Sequence, residues 1–188
     1  MKEASALKLH LGCGVRNFPG FVNVDLAEYA HIHHKRSVDN LSIFKNDSAD
    51  LIYASHVMEY FDRTEVRGVL KEWRRVLKKG GVLRLAVPDF EALARVYAKY
   101  KRLDMILGPI YGRWEIRGKK KIVYHKTGYD FAFLTRLLEE NCFANVRRYD
   151  WRKVEPHKSH DDFSQAYIPH MDKENGMLIS LNVEADKR

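Results

Sequence analysis

Cysteine is nearly absent. Cys13 and Cys142 are the only two in 188 residues, which excludes a disulfide framework, and they lack the paired spacing of a zinc motif. No apolar run approaches the ~20 residues that a bilayer span requires, so an integral membrane protein is excluded as well. The opening Met1-Lys2-Glu3-Ala4-Ser5 leads into alternating Leu7, Leu9 and Leu11 instead of the continuous apolar core of a signal peptide, and this predicts a cytoplasmic protein. There is no internal repeat and no low-complexity tract. What remains is a chain with 45% hydrophobic residues, too apolar for disorder and of a length that suits one domain over residues 1–188. Lys and Arg number 33 against 25 Asp and Glu, a net charge of +8. That bias favours acidic partners without separating nucleic acid, phosphorylated small molecule and anionic glycan, and solubility alone accounts for it.

Short apolar runs alternate with amphipathic stretches. Lys8–Leu11 has strand period and stops at Gly12-Cys13-Gly14. Phe21–Asp25 predicts a second strand with an acidic end, His31–Arg36 a weaker third, and Ala49–Ser55 a fourth. Asp62 and Glu65 have the spacing of a capping box, and Val66, Val69, Leu70, Trp73, Val76 and Leu77 recur at helical spacing until Gly80-Gly81, where the helix is expected to end. Val82–Pro88 predicts a buried strand. Helical spacing returns at Leu93, Val96, Tyr97 and Tyr100 and again at Phe131, Leu134, Leu137 and Leu138, while Asn145–Trp151 and Met177–Ala185 predict two closing strands. Strands alternating with helices predict an α/β fold with a mostly parallel sheet, whose ligands bind at the carboxyl ends of the strands. Residues 99–127, basic and rich in Tyr and Gly, and residues 152–176 break the rhythm and are expected to be cover or insertion segments.

Two glycines after a strand let a backbone approach a ligand closely. The dinucleotide fingerprint nevertheless fails: Asn17 stands where a third glycine belongs, Asp25 comes too early for the ribose-binding acid, and Val15–Gly20, with Pro19, leaves no room for a helix.

Leu9–Gly14 followed by Pro19–Asp25, then Asn46–Tyr60, then Trp73–Asp89, resembles in order and spacing the class I S-adenosylmethionine (SAM)-dependent methyltransferases. The compact bacterial type, methyltransferase-domain 11-like, is the nearest match, and His125–Tyr129, Leu137–Phe143 and Ser180–Ala185 also have family counterparts. The resemblance implies a Rossmann-like fold with reduced first crossover helices and an antiparallel terminal strand, SAM as cofactor, and methyl transfer to an unidentified acceptor. It implies a cofactor site made of Leu11, Gly12, Cys13, Gly14, Asp25, Leu26, Asp39, Asn40, Ala54, Ser55 and His56. Gly12 and Gly14 would pass under the methionine moiety, Asp25 would bind the ribose diol, Asp39 and Asn40 would meet the adenine, and Ala54–His56 would lie beneath the amino acid and methyl group. Cys13 is expected to be a buried spacer.

His56 and His125 are the candidate general bases. His56 and Glu59 share a face if the turn is helical. Superfamily members with Glu-x-x-Glu-His at this place bind a divalent metal, but here the positions read His56-Val57-Met58-Glu59-Tyr60, so no metal is expected and Glu59 is read as ordering the motif. His31, His33 and His34 read as a solvated strand edge, and His157, His160, Asp161 and His170 match no metal spacing. Lys119, Lys120, Lys121 and Lys126 flank Tyr124 and His125 in the expected cover and predict a small anionic or sugar-linked acceptor. An RNA acceptor and a non-catalytic SAM-fold protein that binds a partner or RNA are the alternatives. The shortened crossovers would leave apolar sheet surface exposed, which makes a homodimer an open expectation.

Overall fold

The computed structural model describes residues 6–188. Met1–Ser5, on which the argument against a leader rests, lie outside the described residues. The strands are β1 (Lys8–Leu11), β2 (Val22–Asp25), β3 (His34–Lys35), β4 (Ala49–Ser55), β5 (Leu77–Pro88), β6 (Trp114–Glu115), β7 (Ile122–Val123), β8 (Phe143–Arg148), β9 (Tyr167–Ile168), β10 (Met177–Leu178) and β11 (Ser180–Lys187). The α-helices are α1 (Glu65–Val76), α2 (Phe90–Tyr100), α3 (Asp104–Tyr111) and α4 (Phe131–Glu140). Seven strands form one sheet in the order β3-β2-β1-β4-β5-β11-β8, in which β11 alone runs antiparallel to its neighbours. The chain reverses its direction across the sheet between β1 and β4, so ligand-binding loops collect there.

Among the described residues no helix precedes Met58, as the short connections predict. Polar side chains do the work of the missing helices. Buried Asn23 donates from Nδ2 to Asn17 Oδ1 (2.8 Å) and to the His31 carbonyl (3.1 Å), and its backbone N–H donates to His33 Nδ1 (2.9 Å). The three early histidines do lie at the sheet edge, with His33 exposed and His34 in the edge strand β3, but each makes a specific contact there. His31 Nε2 donates to the Gly14 carbonyl at 2.9 Å, and His34 packs edge-on against Phe44.

The first α-helix begins with the expected box: Asp62 Oδ1 accepts from the Thr64 and Glu65 N–H groups, and Glu65 Oε2 accepts from the Asp62 N–H. It ends at Val76, four residues before Gly80, and β5 starts at Leu77. The glycines sit inside the strand, where Ala49 pairs with Leu77 but Leu51 already pairs with Val82. A Cβ on Gly81 would come within 2.9 Å of the Lys78 carbonyl oxygen and 3.1 Å of that of Ala49, so the local bulge, and not a helix stop, requires the glycine.

Alternation along the strands sends Leu9, Leu11, Ile52, Ala54, Leu83, Leu85, Val87, Leu181 and Val183 to one face, where α1 and α4 cover them in the main core. The opposite face carries His10, Tyr53, Arg84 and Asn182. It is not left open, as the missing helices led one to expect: residues 149–165 lie across it. Arg84 pairs with Glu184 (2.8 Å) and donates to the Glu155 carbonyl (2.8 Å), Asn182 donates to the Ser164 carbonyl (2.8 Å), and Tyr53 donates to Asp162. Phe18 and Phe21 from the first connection fill the remainder. The exposed apolar surface that would have favoured a homodimer is thus covered.

The other differences are local. Residues 99–127 contain α3 and the β6–β7 hairpin; β8 begins at Phe143; and the run from Met177 splits into β10, which pairs with β9, and β11. No helix of the described residues is long and apolar enough to cross a membrane.

Candidate active site

A cleft of about 660 Å³ opens at the carboxyl ends of β1, β2 and β4. Its floor is the turn after β1. Gly12 has φ +63° and donates its N–H to the Val24 carbonyl at 2.8 Å, and a Cβ there would lie 2.4 Å from Val57 Cγ2. Gly14 has φ +52° and open space where a Cβ would stand. The first glycine lets two elements touch; the second leaves room for a ligand. Between them Cys13 is buried, and its thiol is pushed up to about 12 by burial and by the Asp25 charge, so it stays protonated and fits the spacer role.

Asp25 holds this floor together. Oδ2 accepts from the Gly14 N–H at 2.8 Å and Oδ1 from the Ala27 N–H at 2.7 Å, which leaves each oxygen a further lone pair for a ligand hydroxyl. Leu26, Ser37, Val38 and Asp39 continue the wall. Asn40 does not line the cleft: its Oδ1 caps the Ser42 N–H at 3.2 Å. Leu11 and Ala54 are buried at 0% and 1% exposure, with side chains turned toward the helices by strand alternation, so neither offers the cleft a side chain.

Ser55 and His56 close the floor after β4. Ser55 Oγ is buried without a hydrogen-bond partner among the described residues, a hydroxyl left for something in the cleft. His56 takes φ +53°, rare for a residue with a Cβ, with its N–H on the Ala86 carbonyl at 2.8 Å. Its Nδ1 stands 3.3 Å from Oε1 of the fully buried Glu59, and its Nε2 stands 3.4 Å from Ser180 Oγ. That hydroxyl donates to Asn182 Oδ1 at 3.0 Å.

His125 is elsewhere. It is absent from the cleft wall because Nδ1 donates to the Pro109 carbonyl at 3.0 Å, the ring stacks edge-on to Tyr60 at 4.9 Å, and Gly112 is pressed so close that a Cβ there would lie 2.2 Å from Nε2. Its role as a base is withdrawn on these contacts. Glu59 lies between the two histidines, 3.8 Å from His125 Nε2, while its carbonyl accepts from the Lys126 and Thr127 N–H groups. Both of its carboxylate oxygens are buried without a hydrogen-bond partner among the described residues, so the ordering hydrogen bonds expected of its side chain are not formed. Among the described residues no group of three His, Cys, Asp or Glu side chains is arranged to hold a metal ion.

The roof is the β6–β7 hairpin, which contributes Trp114, Ile116, Lys121, Ile122 and Val123, followed by Tyr124 and Lys126. Its tip reaches the loop after β2, where the Arg117 carbonyl accepts from the Glu28 N–H at 3.2 Å. Lys119 and Lys120 do not line the cleft, and Lys126 is paired with Glu65 at 2.8 Å. Arg16, Tyr60, Phe61, Asp162 and Phe163 are wall residues that the sequence reading missed. For the roof, a signal existed in Trp114-x-Ile116 and Ile122-Val123-Tyr124 on either side of Gly118, the pattern of an apolar hairpin.

Residues 9–85 match the family described as "Methyltransferase domain". That match spans less than half of the chain, and the sheet order agrees with it. The chain is similar to the class I SAM-dependent methyltransferases. Over its whole fold it is similar to a SAM-dependent methyltransferase from Methanosarcina mazei, with 16% identity, a TM-score of 0.56, and 98% of this chain and 93% of that chain covered. It is similar also to the 1,6-didemethyltoxoflavin-N1-methyltransferase of Burkholderia thailandensis, solved with its substrate and S-adenosylhomocysteine (12% identity, TM-score 0.56, coverage 97% and 71%). A third similar chain is the methyltransferase from Haloferax volcanii in complex with the Trm112 methyltransferase activator (12% identity, TM-score 0.54, coverage 98% and 82%). At these identities the likeness shows the fold. No curated protein matches the sequence. The open space at Gly14, the spare lone pairs of Asp25 and the unpartnered Ser55 hydroxyl fit SAM as a ligand of this cleft.

Proposed function

We propose that residues 1–188 form one methyltransferase domain whose cleft binds SAM and passes its methyl group to a small anionic acceptor. In this reading Gly12, Cys13 and Gly14 carry the methionine moiety, with Leu11 and Ala54 contributing backbone only. Asp25 and Leu26 take the ribose, and Asp39 the adenine edge, with Asn40 shaping that loop. Ser55 and His56 face the methyl group. The observation that carries the acceptor class is a pair of cations on the wall: Arg16 and Lys121 line the cleft and make no ion pair among the described residues, beside the aromatic surfaces of Trp114, Tyr124 and Phe163. Unpaired cations in a partly enclosed cleft favour a phosphate or carboxylate, and flat rings favour a sugar or ring face.

SAM supplies an electrophilic methyl carbon on a sulfonium. The protein aligns the acceptor atom with that carbon, and as the new bond forms the C–S electrons return to sulfur. The acceptor proton goes to His56. In the tautomer with its proton on Nδ1, 3.3 Å from Glu59 Oε1, the lone pair lies on Nε2, and the Ser180 hydroxyl does not consume it because its own proton is committed to Asn182. The residues on which this depends belong to different strands but meet at one end of the sheet.

The test is transfer of labelled methyl from SAM to separated pools of anionic metabolites and of RNA. Label in the metabolite pool, reduced at least tenfold by Lys121→Ser with unchanged S-adenosylhomocysteine affinity, supports the reading. Label in RNA, with steep loss on adding salt, replaces it.

A further inference from the structure

The irregular segment that covers the second face of the sheet carries a carboxylate into the cleft. Asp162 is only 3% exposed, yet it lines the cleft beside His10 and Gly12, while the next residue, Phe163, packs 5.5 Å from the His56 ring. Its position is fixed by protein donors. Oδ1 accepts from the Ser164 N–H at 2.9 Å and from the Ser164 hydroxyl at 2.5 Å, and Oδ2 accepts from the Tyr53 hydroxyl. Three of roughly four acceptor positions on the carboxylate are filled, which leaves one on Oδ2.

Burial alone would raise its pKa, but His157, Ser164 and Tyr53 outweigh that effect and hold the group down at about 2, so it is a charge. Among the described residues no Lys or Arg side chain pairs with it. The basic group within reach is His157, whose Nδ1 lies 3.7 Å from Oδ2, too far for a hydrogen bond. His10 adds no positive charge from the other side: it stacks at 4.8 Å on Phe18, and burial pushes its imidazole down to about 3. The deep end of the cleft therefore presents a desolvated anion that no Lys or Arg of the described residues neutralises. An ion so placed is costly on its own and gains strongly from a cation brought by a ligand.

We propose that Asp162 is the anchor for a cationic nitrogen, the α-ammonium of the cosubstrate's amino-acid part. The inference rests on the SAM reading above, which places the methionine moiety along Gly12–Gly14, the turn immediately after His10. It adds that the segment over the second face belongs to the cofactor site, and that a loop, not the sheet, supplies its negative charge.

Titration calorimetry separates the two claims by comparing S-adenosylhomocysteine with 5′-methylthioadenosine, which lacks the amino-acid part. Asp162→Asn keeps the shape and removes the charge. It is expected to weaken S-adenosylhomocysteine by at least about tenfold, the effect of a hydrogen bond to a charged group, and to change 5′-methylthioadenosine by less than about twofold. Equal losses for both ligands, or loss for neither, overturn the proposal. If the wild type binds neither nucleoside, the SAM reading itself falls and the proposal with it. If the variant does not fold, the carboxyl carbon resonance of Asp162 in the wild type decides: it should move on adding S-adenosylhomocysteine and stay still with 5′-methylthioadenosine, and identical responses refute the assignment.

Discussion

At the scale of single residues, the molecule depends on polar side chains in places where the fold has no helix to offer. Asn23 is fully buried and bonds across both shortened crossovers, so Asn23→Ala leaves the Asn17 side chain and the His31 carbonyl without their partner while the backbone bond to His33 stays. A loss of about 1–3 kcal/mol in unfolding free energy is expected from urea titration, the cost of buried groups deprived of hydrogen bonds. Period-two spacing puts His31 and His33 on one side of a strand, but β3 holds only His34 and Lys35, so neither lies in it; their partners Gly14 and Asn23 are 17 and 10 residues away, and no local pattern encodes such a partner. His10 yields a pH dependence of definite sign. Its folded pKa, about 3, is below the ordinary 6.5 because burial penalises the imidazolium. The unfolded chain therefore binds the extra proton, and the contribution is fully present above pH 6.5 and lost as pH falls from there toward 3. Between pH 7 and pH 5 the wild type should lose about 2 kcal/mol more stability than His10→Phe, at about 1.4 kcal/mol per pH unit once below 6.5. Parallel pH profiles for the two proteins would remove His10 as the cause.

At the scale of elements, what the sequence made legible was what local chemistry determines. The capping box at Asp62 and Glu65, and the buried stripe Val66, Val69, Leu70, Trp73 and Val76, stand in α1 as their spacing requires. Asp62→Ala should leave the helix in place and expose its first turn, seen as faster hydrogen exchange at the Thr64 and Glu65 amides with later turns unchanged. The end of α1 was not legible. Gly80-Gly81 is a common helix stop, but here the pairing of Leu77 with Ala49 draws the chain into β5 first, and tertiary pairing overrides the local signal. The β6–β7 hairpin was hidden for a similar reason: two-residue strands give too little alternation to detect, though they place Trp114, Ile116 and Lys121 over the cleft. Of the proposed site, Gly12, Gly14, Asp25, Asp39, Ser55 and His56 line one cleft, while Leu11, Ala54, Asn40 and His125 do not, and in each case strand alternation or a competing hydrogen bond is the reason.

At the scale of the whole molecule, the sheet is covered by two different means. One face is an apolar core beneath α1 and α4; the other is a hydrogen-bonded face beneath residues 149–165, centred on Arg84, Tyr53, Asp162 and Asn182. Both faces meet at the cleft, so a change that loosens the segment should weaken cofactor binding from a distance. Arg84→Ala leaves Glu184 bonded only through Arg147 and frees the Glu155 carbonyl, with an expected destabilisation of about 3–5 kcal/mol by denaturant titration. The central claim is that the cleft between β1, β2 and β4 is the SAM site, with Asp25 at its centre. Titration calorimetry of S-adenosylhomocysteine against wild type and Asp25→Ala tests it most directly. The account predicts binding to the wild type and a loss of about 1.5–3 kcal/mol in the variant, the range for hydrogen bonds to a charged group. Equal affinity in both proteins, or binding of NAD in place of S-adenosylhomocysteine, would contradict it.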